Sequence, residues 1–366
     1  MVSLAIVGIA VLGIQLLFFV LFLIAFQRYR ALKDEAPRPV SIIVCAHDEE
    51  QNLRELVPLL LQQNHPTFEV IIVEDRCNDG TYDYLLQATK ENDKLRMVRV
   101  VNKPEHVNGK KYALTLGIKA AKYDRVLLTD ADCRPVSDEW ATQMSNCYLP
   151  ATEFVLGFSP YAKGESLLNA FIRFESTLTG IQMVGMARLG NPYMGLGRNL
   201  LYEKKVFLEN KGFNDHLEVT GGDDDLFVNR HATSANTLVR LGADCMTVSK
   251  PKQTWAEFYQ QKKRHLSVGK RYRFTDRLVL GSFTLSWMLI WFLVLPVAIV
   301  HPWGLWLGAV FLVRWLVMGI LFHQASIRLG QRFEAWKVPL LDFIYAFYYL
   351  VAGVAALNAK RIRWKN

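Results

Sequence analysis

Cysteine is scarce and scattered: Cys45, Cys77, Cys133, Cys147 and Cys245 are the only five in 366 residues. They form no Cys-x-x-Cys pair and have no histidine at metal-ligand spacing, which excludes a zinc ribbon or a disulfide-stapled fold and reads as reduced structural thiols. The eight histidines are equally dispersed. Internal repeats and low-complexity tracts are missing. Charge is missing too from residues 4–26, a run long enough to cross roughly 30 Å of hydrocarbon. No basic stretch precedes that run, and it is too long for the apolar stretch of a cleaved leader. An uncleaved anchor is expected, with Arg28, Arg30 and Lys33 on the cytoplasmic side.

What is present is unevenly distributed. The hydrophobic share is 51%, mean hydropathy is +0.11 and net charge is +9. Three further apolar segments, 279–300, 303–324 and 338–357, lie near the other end. The expected organisation is an anchor (1–29), a cytoplasmic catalytic domain (30–277) and a C-terminal membrane part (278–366). The protein would then sit in the cell membrane as a multi-pass chain. Much of the positive charge falls between Lys250 and Arg277, as a juxtamembrane belt facing headgroups rather than a nucleic-acid surface. Arg314 falls inside an apolar run and requires a partner. Asp342 is the expected one, and a lipid phosphate is the alternative. Four full spans would put Lys360, Arg361, Arg363 and Lys365 outside, against the positive-inside rule, so 338–357 either spans or lies in the interface.

Between residues 40 and 132 short apolar runs alternate with helical spacing. Strands are expected at Val40–Ala46, Phe68–Glu74, Leu95–Val101 and Arg125–Thr129. Helices are expected at 49–62, 82–90 and 111–122. Such alternation gives an α/β fold with a mostly parallel sheet, and ligands bind beyond the carboxyl ends of its strands. Cys45–Asp48, Asp75 and Asp130–Asp132 fall at those ends. Residues 165–190 have amphipathic helical spacing, as a core helix or an in-plane interfacial one. Residues 254–275 read as a basic amphipathic helix, and Gly190–Arg198 as a glycine-rich turn on the acceptor side, including Gly195 and Arg198.

Three acidic motifs carry the chemistry. Asp130-Ala131-Asp132 offers hard oxygen ligands that suit Mg²⁺ or Mn²⁺ beside a diphosphate, Asp132 toward metal and Asp130 toward metal or nucleotide. Asp75 can accept from a base or ribose. Gly221-Gly222-Asp223-Asp224-Asp225 opens a helix, and adjacent carboxylates raise one another's pKa toward that of a general base. Lys110, beside Lys111, can neutralise a diphosphate. Gln261 and Arg264 stand at i, i+3 on one helical face, and an arginine fork there can grip the leaving group. Together these point to sugar transfer from a nucleotide donor at a membrane.

In this order the motifs resemble a family 2 glycosyltransferase of GT-A fold, over roughly residues 38–275. Ala46, Asp48 and Glu49 stand in a run similar to the family's Pro-x-x-Asn-Glu-Glu turn. Asp75 matches the nucleobase aspartate, Lys110 the Gly-Lys-x-x-Ala-Leu lysine, and Asp130 and Asp132 the Asp-x-Asp motif. Gly222-Asp223-Asp224 resembles the motif that ends in the catalytic base. That register selects Asp224, with Asp223 and Asp225 one position away. Gln261-x-x-Arg264-His265 resembles Gln-x-x-Arg-Trp, with His265 in place of the acceptor-lining Trp. The resemblance implies inverting, metal-dependent transfer from a nucleotide-sugar, UDP rather than GDP, to a lipid or glycan acceptor. A small processive polysaccharide synthase and an inactive nucleotide-sugar-binding subunit are the alternatives. Oligomeric state is not legible.

Overall fold

The computed structural model describes residues 2–30, 36–146 and 151–358. Lys33, Cys147 and the basic residues Lys360 to Lys365 lie outside the described residues. The chain forms two compact units. One gathers residues up to Tyr29, Lys163–Leu189 and Lys252 onward; the other comprises Arg30–Ala162 and Gly190–Pro251. The expected catalytic segment 30–277 is therefore divided, because 163–189 and 252–277 pack with the helical unit.

The second unit is built on a seven-stranded sheet. Its strands are β1 (Val40–Ala46), β2 (Phe68–Asp75), β3 (Leu95–Val100), β4 (Arg125–Asp130), β6 (Phe154–Leu156), β7 (Leu200–Glu203) and β8 (Thr237–Val239), in the order β3-β2-β1-β4-β7-β6-β8. A small second ladder pairs β5 (Cys133–Pro135) with β9 (Thr247–Ser249). The four strands expected from the alternating pattern are all present and mutually parallel. Being buried on both faces, β1, β2 and β4 are nearly continuous apolar runs. Ile42, Val44, Val70, Ile72 and Leu127 pack with Leu53, Leu56 and Leu60 of the helix Glu50–Leu61 and with Trp140. From β1 the chain winds to β2 and β3 on one side and to β4 on the other, which opens a crevice at the carboxyl ends. Cys45 and Asp130 lie abreast there.

β7 is antiparallel to both neighbours, and Leu200 pairs with Leu128. The chain thus enters β7 at the end where β4 finishes, which carries residues 197–199 to the Asp130 side. A four-residue strand has no period to read, and the sequence alone did not reveal it.

The helical unit contains Val2–Gln27, Leu167–Arg188, Trp255–Gly269, Phe274–Leu289 with its continuation to Val300, Gly304–Arg328 and Val338–Asn358. Among the described residues, three helices are long and apolar enough to cross a membrane: Leu4–Gln27, Phe274–Val300 and Gly304–Arg328; Val338–Gly353 is a shorter apolar segment. Phe274–Val300 widens to a π-turn at Ile290–Val294, just before Pro296, which has no N–H to continue the regular ladder. The expected continuous helix 254–275 is instead two. Trp255–Gly269 starts at a capping box of Thr254 and Glu257, and it ends in a turn over Lys270–Arg273, after a glycine that is a poor helix former.

Leu167–Arg188 is a core helix of this unit, with Phe174 stacked on Phe322 at 4.7 Å and Phe171 edge-on to Tyr348 at 5.1 Å. Arg314 takes its expected partner. Its Nη1 and Nη2 donate to Asp342 at 2.7 and 2.8 Å, and its Nε donates to Gln15 Oε1. All three residues are fully buried.

Candidate active site

Asp75 ends β2, and the next residue, Arg76, grips it: Nε to Oδ1 at 2.7 Å and Nη2 to Oδ2 at 3.2 Å. Arg76 has φ +54°, and Asp48 at the matching end of β1 has φ +55°. Non-glycine residues in that region cost about 1–3 kcal/mol each and concentrate at working sites. The two turns are stitched together. Asn78 N–H donates to Asp48 Oδ1 at 2.7 Å, Glu50 N–H to Asp79 Oδ2 at 3.1 Å, and His47 Nδ1–H to the Asp75 carbonyl at 2.6 Å. Glu49 accepts from Asn52 at 2.6 Å, and buried Ala46 offers its carbonyl to the Cys77 thiol. Asp48, Cys77 and Asp79 are close enough to share an ion, but both carboxylates already receive backbone N–H groups.

The helix Gly109–Ala120 begins against Asp75. A Cβ at Gly109 would lie 3.0 Å from Arg76 Nη2 and 3.1 Å from Asp75 Oδ2, so glycine is what permits this approach. Asn108 caps the helix, accepting from Lys111 N–H at 3.3 Å. The two lysines then separate. Lys111 is fully buried, and its ammonium holds the carbonyls of His216 and Val219 at 2.6 and 2.9 Å. Lys110 turns into the crevice and meets Asp130 at 2.9 Å and Asp223 at 3.2 Å.

Gly221 and Gly222 have φ +86° and +77°, a left-handed pair that L side chains rarely adopt, and they deliver the aspartates. Asp224 accepts from Gly197 N–H at 2.7 Å and from Asp225 N–H at 2.8 Å. Asp225 turns away, accepting from Leu226 N–H at 2.8 Å. The two inner carboxyls diverge electrostatically. Burial, then the charge of Asp223, pushes the Asp224 pKa up, against Lys110 and the two N–H groups. Asp223 feels the same burial, but Lys110 prevails and holds it below the ordinary carboxylate value. Burial also works against the Lys110 ammonium, yet Asp130, Asp223 and Asp224 together keep its pKa well above that of an ordinary lysine.

Arg198 stacks on Tyr161 at 4.6 Å and donates to Ser249 Oγ at 2.7 Å. Burial opposes its charge, while Tyr161, Cys133, Asp130 and Asp132 raise its pKa. Arg198 therefore belongs to the Asp130–Asp132 side of the crevice. Gly195 is buried against Val228, Leu200 and Leu156, whereas Gly197 is the glycine that faces Asp224. The Asp130 and Asp132 carboxylates are partly exposed and offer hard oxygens, a donor set that fits Mg²⁺ or Mn²⁺. Gln261, Arg264 and His265 lie on Trp255–Gly269 in the helical unit, with His265 exposed. Sequence reasoning missed Arg76, His47 and Gly197. Each stands within two residues of a residue it did select.

Comparison with known proteins agrees with this fold. The Glycosyl transferase family 2 description matches residues 41–207, and Glycosyl transferase family group 2 matches 126–326, more than half of the chain. The chain is a family 2 glycosyltransferase. The probable glycosyltransferase YdaM of Bacillus subtilis (strain 168) is 23% identical over 249 residues, 65% of this chain and 56% of that one. The putative teichuronic acid biosynthesis glycosyltransferase TuaG of the same organism is 28% identical over 141 residues, 38% of this chain and 54% of that one. The chain thus spans about half the length of these relatives. The solved mannosyltransferase PcManGT from Pyrobaculum calidifontis, in complex with GDP-Man and Mn²⁺, superposes with a TM-score of 0.64. It is 16% identical, with 98% of this chain and 99% of that one covered, which supports the GT-A fold of this glycosyltransferase.

Proposed function

We propose that this glycosyltransferase moves a sugar, with inversion, from a nucleoside-diphosphate donor to a lipid or lipid-linked acceptor at a membrane. The observation that carries the reading is the cluster of Lys110, Asp130, Asp223 and Asp224 at the switch-point crevice, with one carboxyl of raised pKa in it. Asp224 is the general base for the acceptor hydroxyl, and the Gly197 N–H fixes its orientation. Asp75 receives the nucleobase. Lys110, with Arg198 beside the Asp130–Asp132 end, meets the negative charge of the departing diphosphate. Asp130 and Asp132 would hold a divalent ion, which when bound supplies positive charge to the diphosphate. The catalytic unit faces the cytoplasm, in line with Arg28 and Arg30 after the first apolar helix.

The lipid acceptor is favoured by the three apolar helices and by a likeness to the beta-monoglucosyldiacylglycerol synthase of Trichormus variabilis, 32% identical over 101 residues, 27% of this chain and 21% of that one. The donor is a UDP- or GDP-sugar. The test is nucleoside diphosphate release by the detergent-purified chain across a panel of both, with Mn²⁺ or with EDTA. Metal-dependent release from one donor is expected. Asp224→Asn should lower kcat about 10²–10⁴-fold with donor affinity nearly unchanged, the range for a lost general base. Wild-type turnover by that variant removes Asp224 from the role.

A further inference from the structure

The loop that delivers the aspartates has little regular structure of its own. It begins at Lys211 and Gly212, with φ +57° and +58°, and ends at the left-handed pair Gly221 and Gly222. Between them its regular piece is the three-residue turn Asn214–His216. Phe213 seals the start, edge-on to Phe207 at 4.9 Å. The middle is held by the beginning of the helix Gly109–Ala120. Asn108 N–H donates to the Leu217 carbonyl at 2.9 Å. Lys111 Nζ donates to the carbonyls of His216 and Val219 at 2.6 and 2.9 Å. The carbonyls of His216, Leu217 and Val219 are thus all bound to one helix start, and every residue involved belongs to the sheet unit.

Lys111 is fully buried. An ammonium taken out of water is costly, and an apolar side chain of similar length would join helix and loop by packing without that cost. What the ammonium adds is direction, through charge-assisted bonds roughly twice as strong as neutral ones. Its charge also reaches Asp223, whose carboxyl it helps Lys110 to hold below the ordinary value. Lys110 and Lys111 are consecutive on one helical turn. The first meets Asp130 and Asp223 in the crevice. The second holds the loop that leads, two residues past Val219, into Gly221-Gly222 and then Asp223 and Asp224. A shift of the turn at 216–219 is therefore passed on to both carboxyls.

We propose that Lys111 is a positioning residue: by clamping the aspartate loop to the helix that carries Lys110, it fixes the general base Asp224 relative to the group that meets the departing diphosphate. It rests on the reading of Asp224 given above. Lys111, being buried, touches no reacting atom and acts through the loop.

The test compares Lys111→Met and Lys111→Gln in the full detergent-purified chain, by kcat and donor KM, by UDP and GDP binding with Mn²⁺, and by hydrogen exchange of the loop amides. Lys111→Met keeps the stem and loses the ammonium. It should lower kcat about 10-fold or more, as a misplaced catalytic group does, while donor KM and diphosphate affinity stay within about 2-fold. The amides of residues 213–222 should exchange about 10-fold faster, the mark of easier local opening. Lys111→Gln, with a shorter and neutral donor, should fall between Met and wild type in both respects, and it carries the same comparison if the Met variant does not fold. In an Asp224→Asn background the kcat loss should shrink to less than about 2-fold, since the group being positioned is gone. Equal losses in the two backgrounds, or diphosphate binding lost in step with kcat, would mean general loosening and overturn the proposal. Wild-type kcat from a folded Lys111→Met variant overturns it as well, and so does a fall in kcat with loop exchange unchanged. Wild-type turnover by Asp224→Asn alone would instead remove the base, a failure distinct from these because the faster loop exchange of Lys111→Met would remain.

Discussion

Each unit buries a charged cluster, and the two are balanced differently. In the helical unit one guanidinium meets one carboxylate: Arg314 and Asp342 are fully buried, joined by two direct bonds, with Gln15 and the Trp315 indole closing the remaining sides. In the sheet unit one ammonium faces several carboxylates. Lys110 touches Asp130 and Asp223 and feels Asp224, while Asp130 keeps about a third of its side chain open at 32% exposure. A complete cluster holds helices together and asks for nothing more. An incomplete one, short of positive charge and open on one side, is poised to take a cation or a proton.

The largest effect should come from breaking the complete cluster. Arg314→Gln leaves Asp342 buried without its fork, and removal of one partner of a buried pair costs about 3–5 kcal/mol. Thermal unfolding in detergent should show that loss, while the folded fraction keeps its donor kcat/KM and its pH profile. A folded Arg314→Gln protein with a selective defect toward lipid acceptor would make the cluster a binding site, and the contrast between the two units would collapse.

Lys110→Met tests the other side. It should lower kcat/KM about 10²–10³-fold, the usual cost of removing one group that stabilises developing charge. It should also move the pH profile in a direction the structure fixes. Lys110 pulls the Asp224 pKa down, so its loss lets that carboxyl titrate at higher pH, and the ascending limb of the rate profile should shift upward. An unmoved limb would mean that Asp224 is not the group that titrates.

Why some of this was legible in the sequence, and some not, follows from what a linear pattern encodes. The four parallel strands are long apolar runs, and a carboxylate at the end of such a run is at the ligand-binding edge by topology alone, so Asp75, Asp130 and Asp132 could be read directly. Adjacent like residues could not be separated. Lys110 and Lys111 differ only by a turn of about 100° on a helix, which sends one into the crevice and the other to the carbonyls of His216 and Val219. Asp223, Asp224 and Asp225 differ only in which charge and which N–H groups they face. Gly197 and Arg198 reach the site because β7 runs antiparallel, and four residues carry no period to announce that. The break at Lys270–Arg273 was hidden because basic residues stand on both sides of it, from Lys262 to Arg277.

The smallest expected effect concerns the loop that delivers the aspartates. His216 is buried, and its Nε2–H donates to the Gly222 carbonyl at 3.1 Å, while Nδ1 finds no hydrogen-bond partner. A second proton would go to Nδ1, where burial, and then Lys111 and Arg230, oppose it; the pKa is pushed down to about 4 from an ordinary 6.5. A histidine whose folded pKa is depressed binds fewer protons folded than unfolded between those values. Its share of stability is therefore whole above pH 6.5 and is lost progressively as pH falls toward 4. Glu69 does not confuse the upper part of that window. Although burial opposes its charge, bonds from Ser41, Lys122 and Arg96 hold its carboxyl below the ordinary 4.5, so its contribution is kept above that value and lost only beneath it. His216→Gln keeps a donor for Gly222 and removes the titrating ring. The decline of unfolding temperature between pH 6.5 and 4.5 should flatten in that variant, and the acid limb of turnover should change little, since the proposed base, Asp224, is unaltered. Parallel decline of wild type and variant would show that the aspartate loop does not depend on a neutral His216.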